Sequence, residues 1–116
     1  MPQQTQEVFR EVVDAKNHNS RNFTQLANNF YLVKTALRYY TVKKDMSFTS
    51  GKISDNFPIP LNAVGSSLKV LEQLDVIKSR TESKHQNRYM PQQVDLEKLQ
   101  EIEEILKENR EIEDFC

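Results

Sequence analysis

Between positions 78 and 88 the chain carries Lys78, Arg80, Lys84 and Arg88, with His85 among them and one acid, Glu82. Over residues 76–91 that is four Lys+Arg less one Glu, or +3 with histidine neutral. Positive charge at this density has two uses: to meet the phosphates of a polyanion, or to solvate a hairpin and protect its open edge from pairing. A second polar set, Asn62, Ser66, Lys69 and Gln73 with Ser67 at its margin, recurs at helical spacing along one face. Amide, hydroxyl and amine groups aligned in this way present hydrogen-bond donors and acceptors to a surface.

Other chemistries lack their parts. His18, His85 and Cys116 do not form a spacing that a metal site favours. Ser66 and Ser67 lack the flanking glycines of a nucleophile elbow and a neighbouring His/Asp set. Glu103 and Glu104 fall on an acidic helix expected to face water, which gives acid/base catalysis no pocket to work in. Gly51 and Gly65 are the two glycines, too far apart for a dinucleotide fingerprint or a P-loop. The expectation is a protein that is not an enzyme, with no catalytic residues, no metal and no cofactor.

The elements that position these groups follow from composition and periodicity. With 116 residues, 37% of them hydrophobic, and few glycines, the chain suits one mostly helical domain with large solvated faces. Its one cysteine, the terminal Cys116, forbids an intrachain disulfide and fits a reducing, cytoplasmic setting. The opening MPQQTQEVFR has no signal-peptide character, and no apolar run approaches the roughly 20 residues of a bilayer span, so no membrane partner is expected. The net charge of −1 conceals a division. Residues 1–91 hold 13 Lys+Arg and 8 Asp+Glu (+5), and residues 92–116 hold 3 and 9 (−6). A cationic body with an acidic C-terminal segment permits a local basic surface that the total hides.

Val8 with Val12 and Phe9 with Val13 predict a short amphipathic helix over residues 5–15, followed by a polar break at 17–22 with Asn22 as a candidate cap. Phe23, Leu26, Ala27, Phe30, Val33, Leu37 and Tyr40 form one stripe, which predicts a single long helix over residues 23–43. Lys34, Arg38, Lys43 and Lys44 are read as its solvated face. Met46-Ser47-Phe48 alternates like a very short strand, and Thr49 or Ser50 can cap a two-turn helix that ends by Asn56, ahead of Pro58 and Pro60. Leu61, Val64, Leu68, Leu71 and Leu74 predict the buried face of the next helix. After Asp75 two short extended pieces flank a polar loop, which predicts a β-hairpin. Asp95 caps a final helix whose stripe is Leu96, Leu99, Ile102, Ile105, Leu106 and Ile112.

Long helix, tiny strand, short helix, tight turn, helix, hairpin is the order of a winged helix-turn-helix domain. The segment LNAVGSSLKVLEQLDVIKSR resembles the recognition helix and first wing strand of small regulators of the MarR, ArsR and PadR types. In those a V-x-x-x-L-x-x-L stripe precedes a turn and a hydrophobic strand, as Val64, Leu68 and Leu71 here precede Asp75 and Val76-Ile77. The resemblance covers residues 23–91 and lies at superfamily level. Asp75 stands where such families often have glycine, and Pro-Ile-Pro replaces a glycine-containing turn between the two helices. The implied fold is α+β, mostly α: a winged helix-turn-helix with an extra N-terminal helix and linker (1–22) and an acidic C-terminal dimerisation helix (92–116).

The resemblance implies double-stranded DNA as partner. The helix from Leu61 would enter the major groove with Asn62, Ser66, Ser67, Lys69 and Gln73 as base readers. Lys52, Lys78, Arg80, Lys84, His85 and Arg88 would lie against the phosphates. The C-terminal stripe would join two copies by a short antiparallel pairing, since Asn109 and Glu113 interrupt a strict heptad. The expected function is that of a homodimeric, repressor-like transcriptional regulator, cytoplasmic and nucleoid-associated. The alternatives are a winged-helix protein-interaction module that docks through the acidic helix, or a replication or plasmid-partition factor in a larger assembly.

Overall fold

In the computed structural model, which describes residues 2–83 and 86–108, the polar break near residue 20 is a single residue wide. Helix α1 spans Pro2–His18 and α2 spans Ser20–Asn28, with Asn19 between them at φ −137° and ψ 54°. The Asn19 N–H donates to Ala15 O and its carbonyl accepts from Phe23 N, both at 2.8 Å, so the chain turns without losing backbone hydrogen bonds. Asn22, the expected cap, lies inside α2 instead.

The long helix expected over residues 23–43 is divided. α3 spans Phe30–Arg38 and continues as a π-helical turn, Tyr39–Lys43. The break is at Asn29, whose N–H is shared between Gln25 O (3.1 Å) and Leu26 O (3.3 Å) while its side-chain amide donates to Gln25 O at 2.9 Å. Side-chain competition for the preceding carbonyl is the usual way asparagine interrupts a helix. The apolar stripe survives the break, because Phe23, Leu26, Phe30, Val33, Leu37 and Tyr40 are all buried. Lys44 N bonds Tyr39 O at 2.9 Å, and Asp45, at φ 49°, ends the turn.

The alternating triplet becomes a one-residue strand. Phe48 pairs antiparallel with Tyr89, and Thr49 then caps α4 (Ser50–Asn56), its hydroxyl accepting from Lys52 N at 3.1 Å. Across Pro-Ile-Pro, Ile59 N bonds Phe57 O at 2.8 Å, Ser54 Oγ donates to Ile59 O at 3.0 Å, and Ile59 is buried. Pro60 takes the N-cap position of α5 (Leu61–Gln73), where its missing N–H is no loss.

α5 packs against α2 and α4. Val64, Leu68, Leu71 and Leu74 are buried as their spacing predicts, whereas Leu61, assigned to the same face, is 57% exposed. It lies beyond the edge of the buried face, in line with Gly65 and Lys69 at four-residue spacing, while Ala63 and Val64 in the same turn are buried. The helix ends in a Schellman motif: Val76 N bonds Leu71 O at 2.9 Å, Asp75 N bonds Glu72 O at 3.0 Å, and Asp75 has φ 61°. Asp75 therefore holds the left-handed position that glycine fills more cheaply.

The hairpin follows, β1 (Ser79–Ser83) antiparallel to β2 (Gln86–Tyr89), with Ser79 opposite Tyr89 and Arg80 opposite Arg88. A 3-10 turn, Pro91–Gln93, leads to α6 (Leu96–Glu108). Asp95 caps α6 through Lys98 N (3.0 Å), and its own N–H bonds Val76 O at 2.8 Å, which ties the start of α6 to the root of the hairpin.

The stripe expected to meet a second copy is covered within one chain. Leu99, Ile102, Ile105 and Leu106 are buried, Leu96 is half-buried, and α6 lies against α1 and α3. Ile112 lies outside the described residues. Lys98 Nζ pairs with Glu11 of α1 at 2.9 Å, and Lys34 Nζ of α3 lies 2.8 Å from both carboxylate oxygens of Glu103. Glu103 is thus 7% exposed rather than facing water, and Lys34 is an internal ion-pair partner rather than part of a solvated face. One hydrophobic core runs from Val8 to Leu106, so the described residues of the three segments share one mostly helical body.

Candidate nucleic-acid interface

The exposed side of α5 is set by what buries the other side. Ala63, Val64, Ser67, Leu68, Val70 and Leu71 face inward, leaving two rows at four-residue spacing: Leu61, Gly65, Lys69 and Gln73, and beside it Asn62 and Ser66. Asn62, Lys69 and Gln73 are exposed, and Ser66 and Gly65 are half-exposed.

Ser67 does not belong to this surface. Its side chain is fully buried and Oγ donates to the Ala63 carbonyl one turn back at 2.8 Å, so it cannot reach a base. Gln73 is exposed, but its Oε1 accepts from Asn19 Nδ2 at 2.8 Å. That bond holds the end of α5 to the corner between α1 and α2 and occupies the acceptor an adenine would need. Asn62 turns its Oδ1 to Ala63 N at 3.0 Å in the first turn, leaving the amide NH2 outward-capable.

Gly65 lies in the helix interior, where glycine costs about 1 kcal/mol relative to alanine. A Cβ built there meets nothing within 4 Å beyond the helix's own backbone and its immediate neighbours. Close contact with another of the described residues therefore does not account for the glycine.

The flanking cations come from separate elements. Lys52 is half-buried in the first turn of α4. Its backbone O accepts from Tyr40 OH (3.3 Å) and Asn56 Nδ2 (2.8 Å), which fixes the start of that helix against the π-helical turn. Lys78 is exposed between α5 and β1. Arg88 is half-buried, and its Nη1 donates to Ser47 Oγ at 3.2 Å, beside the Phe48–Tyr89 pair. Arg80 occupies a β1 position opposite Arg88, while Lys84 and His85 lie outside the described residues.

An aromatic stack ties these elements together. The rings of Tyr40 and Phe48 stack at 5.4 Å and those of Phe48 and Tyr89 at 5.6 Å, while Tyr39 meets Tyr40 and Phe57 edge-on. The end of α3, the start of α4 and the hairpin are thereby held in fixed relation. Sequence reading placed Tyr40 in a helical stripe and Phe48 in a short strand without bringing these rings together. Their separation in the chain conceals a cluster that only strand pairing creates.

Among the described residues no group of three metal-ligating side chains converges, and no helix is long and apolar enough to cross a membrane. No family model, curated protein or solved structure matches this chain.

Proposed function

We propose that this chain is a winged helix-turn-helix protein that binds double-stranded DNA. α5 would lie in the major groove and the hairpin against the phosphate backbone. The observation that carries the proposal is the open row on α5: Asn62, Ser66 and Lys69 are presented to solvent while the helix is held from behind by α2 and α4. A supporting feature is the antiparallel Phe48–Tyr89 bridge, which joins the two-stranded hairpin to the residue before the cap of α4. Asn and Lys are side chains that read base edges by hydrogen bonding, and Lys52, Lys78 and Arg88 flank the same stretch of chain. In this role Asn62, Ser66 and Lys69 select sequence and the cations set affinity, as in a transcriptional regulator of the repressor type. An inverted-repeat operator would need two copies joined through a surface other than the α6 stripe, which is already covered.

The test is binding of labelled random-sequence duplex across a range of salt concentrations. Wild type is expected to bind with a steep salt dependence. The double substitution Lys78→Ala, Lys84→Ala is expected to lower the log–log slope by about two, one released counterion for each lost phosphate contact. Absence of binding at low salt rejects the proposal. It turns attention to the exposed carboxylates Glu97, Glu104 and Glu108 of α6 as a surface for a basic protein partner.

A further inference from the structure

Leu61 and Gly65 are the two positions on the exposed row of α5 that no internal role explains. Leu61 leaves 57% of its surface in water although it begins a helix otherwise apolar on the inside, and Gly65, one turn later, faces open space. Around them stand Asn62, Ser66 and Lys69. The row thus presents, in order, an exposed aliphatic side chain, a stretch of bare helix backbone and an amine.

We infer that Leu61 and Gly65 determine sequence preference: Leu61 packs on the C5-methyl group of a thymine, and Gly65 lets the base-pair edges approach the helix backbone closely enough for it to do so. This step rests on DNA being the ligand of α5. The major-groove edge of a T·A pair offers one apolar group, the thymine methyl, and an aliphatic side chain at the groove floor distinguishes it from the cytosine that lacks it. A side chain at position 65 would stand between the helix and the bases, holding Leu61 and Asn62 away from the groove floor. The occupant is a duplex rather than an apolar peptide because Lys69 follows on the same row and Asn62 and Ser66 stand beside it, polar groups that an apolar peptide would bury unpaired and base edges would satisfy. Positive charge beside a small apolar step suits a polyanion with methyl groups on its edge.

The test is selection from a randomised duplex library by wild type, Leu61→Ala and Gly65→Ala, with non-specific affinity and Tm measured for each. Wild type is expected to enrich sites with thymine at one defined position, and Leu61→Ala to lose at least about tenfold discrimination there. Gly65→Ala is expected to raise Tm by about 4 °C, because it removes a helix-interior glycine without a clash. It is also expected to lose about tenfold or more in affinity for the selected site while keeping the salt-dependent affinity for random duplex. A gain in stability with a loss in specific binding separates an interface role from a folding defect. Unchanged discrimination in Leu61→Ala, or unchanged affinity for the selected site in Gly65→Ala, overturns the inference and leaves DNA binding itself standing. Failure of wild type to bind any duplex overturns both.

Discussion

Phe48 and Tyr89 exchange both backbone hydrogen bonds, at 3.0 and 2.9 Å, and stack their rings 5.6 Å apart, although 41 positions separate them in the chain. The pair joins the segment before α4 to the returning strand of the hairpin. Both rings lie in the core, with Phe48 wholly removed from solvent. Phe48→Ala is expected to cost about 3–5 kcal/mol, from lost burial and from the cavity left between Tyr40 and Tyr89. Phe48→Leu should cost less than half as much. Urea unfolding of both variants measures the difference, and amide exchange at Tyr89 should accelerate more than exchange at Leu68 if the pair anchors the hairpin.

What could be read from the chain and what could not divide along a physical line. The stripe Val64, Leu68, Leu71, Leu74 was legible because helical burial repeats in one dimension, whereas Asp75 was marked as the left-handed position by the resemblance, which has glycine there, and not by the pattern itself. Leu61 continued the spacing yet remained exposed, since it also lines up with Gly65 and Lys69, and periodicity does not mark where around the helix the buried face ends. The spacing put Ser67 at the margin of the polar face beside Ser66, and only the packing around α5 decides that one is buried and the other half-exposed. The ion pair of Lys34 with Glu103 spans 69 positions and carries no local signal. The α6 stripe announced that it must be covered without saying by what, and the answer, α1 and α3, is a matter of tertiary arrangement.

Asp75 occupies the C′ position of the Schellman motif at φ 61°. An L side chain with a Cβ pays for that conformation, and glycine does not. Asp75→Gly is expected to raise stability by about 1 kcal/mol, read as a higher urea midpoint with unchanged m-value. DNA affinity should stay the same, because the backbone path from α5 to β1 is retained.

Lys34 and Glu103 form a partly buried pair with side-chain exposures of 19% and 9%. Removing the amine alone leaves a carboxylate in the core without its partner. Lys34→Met is therefore expected to destabilise by about 1–3 kcal/mol, a range lowered from that of a fully buried pair because water still reaches Lys34. Lys34→Met combined with Glu103→Leu should recover most of the loss, since apolar groups of similar size substitute for the ions without a desolvation cost. A double-mutant cycle by urea unfolding measures the coupling. A double-variant cost equal to the sum of the Lys34→Met and Glu103→Leu costs would show that the pair contributes nothing between α3 and α6.

Ser66, Ser67 and Lys69 are near neighbours in the chain but differ in what they can touch. Ser67 Oγ is bonded to Ala63 O inside the protein, whereas Lys69 is exposed on the row that faces outward. On the proposed DNA surface, Ser67→Ala is expected to leave affinity for a selected site within twofold of wild type and to change stability by less than about 1 kcal/mol, because a back-bonded helical hydroxyl contributes little net. Lys69→Ala, by contrast, should lower that affinity by at least about tenfold, as expected for loss of a contact to a base edge, and Ser66→Ala should fall between them. Fluorescence anisotropy on one selected duplex compares the three. If Ser67→Ala weakened binding as much as Lys69→Ala did, α5 would have to rotate on binding to expose its buried face, and the row from Leu61 to Lys69 would not be the reading surface.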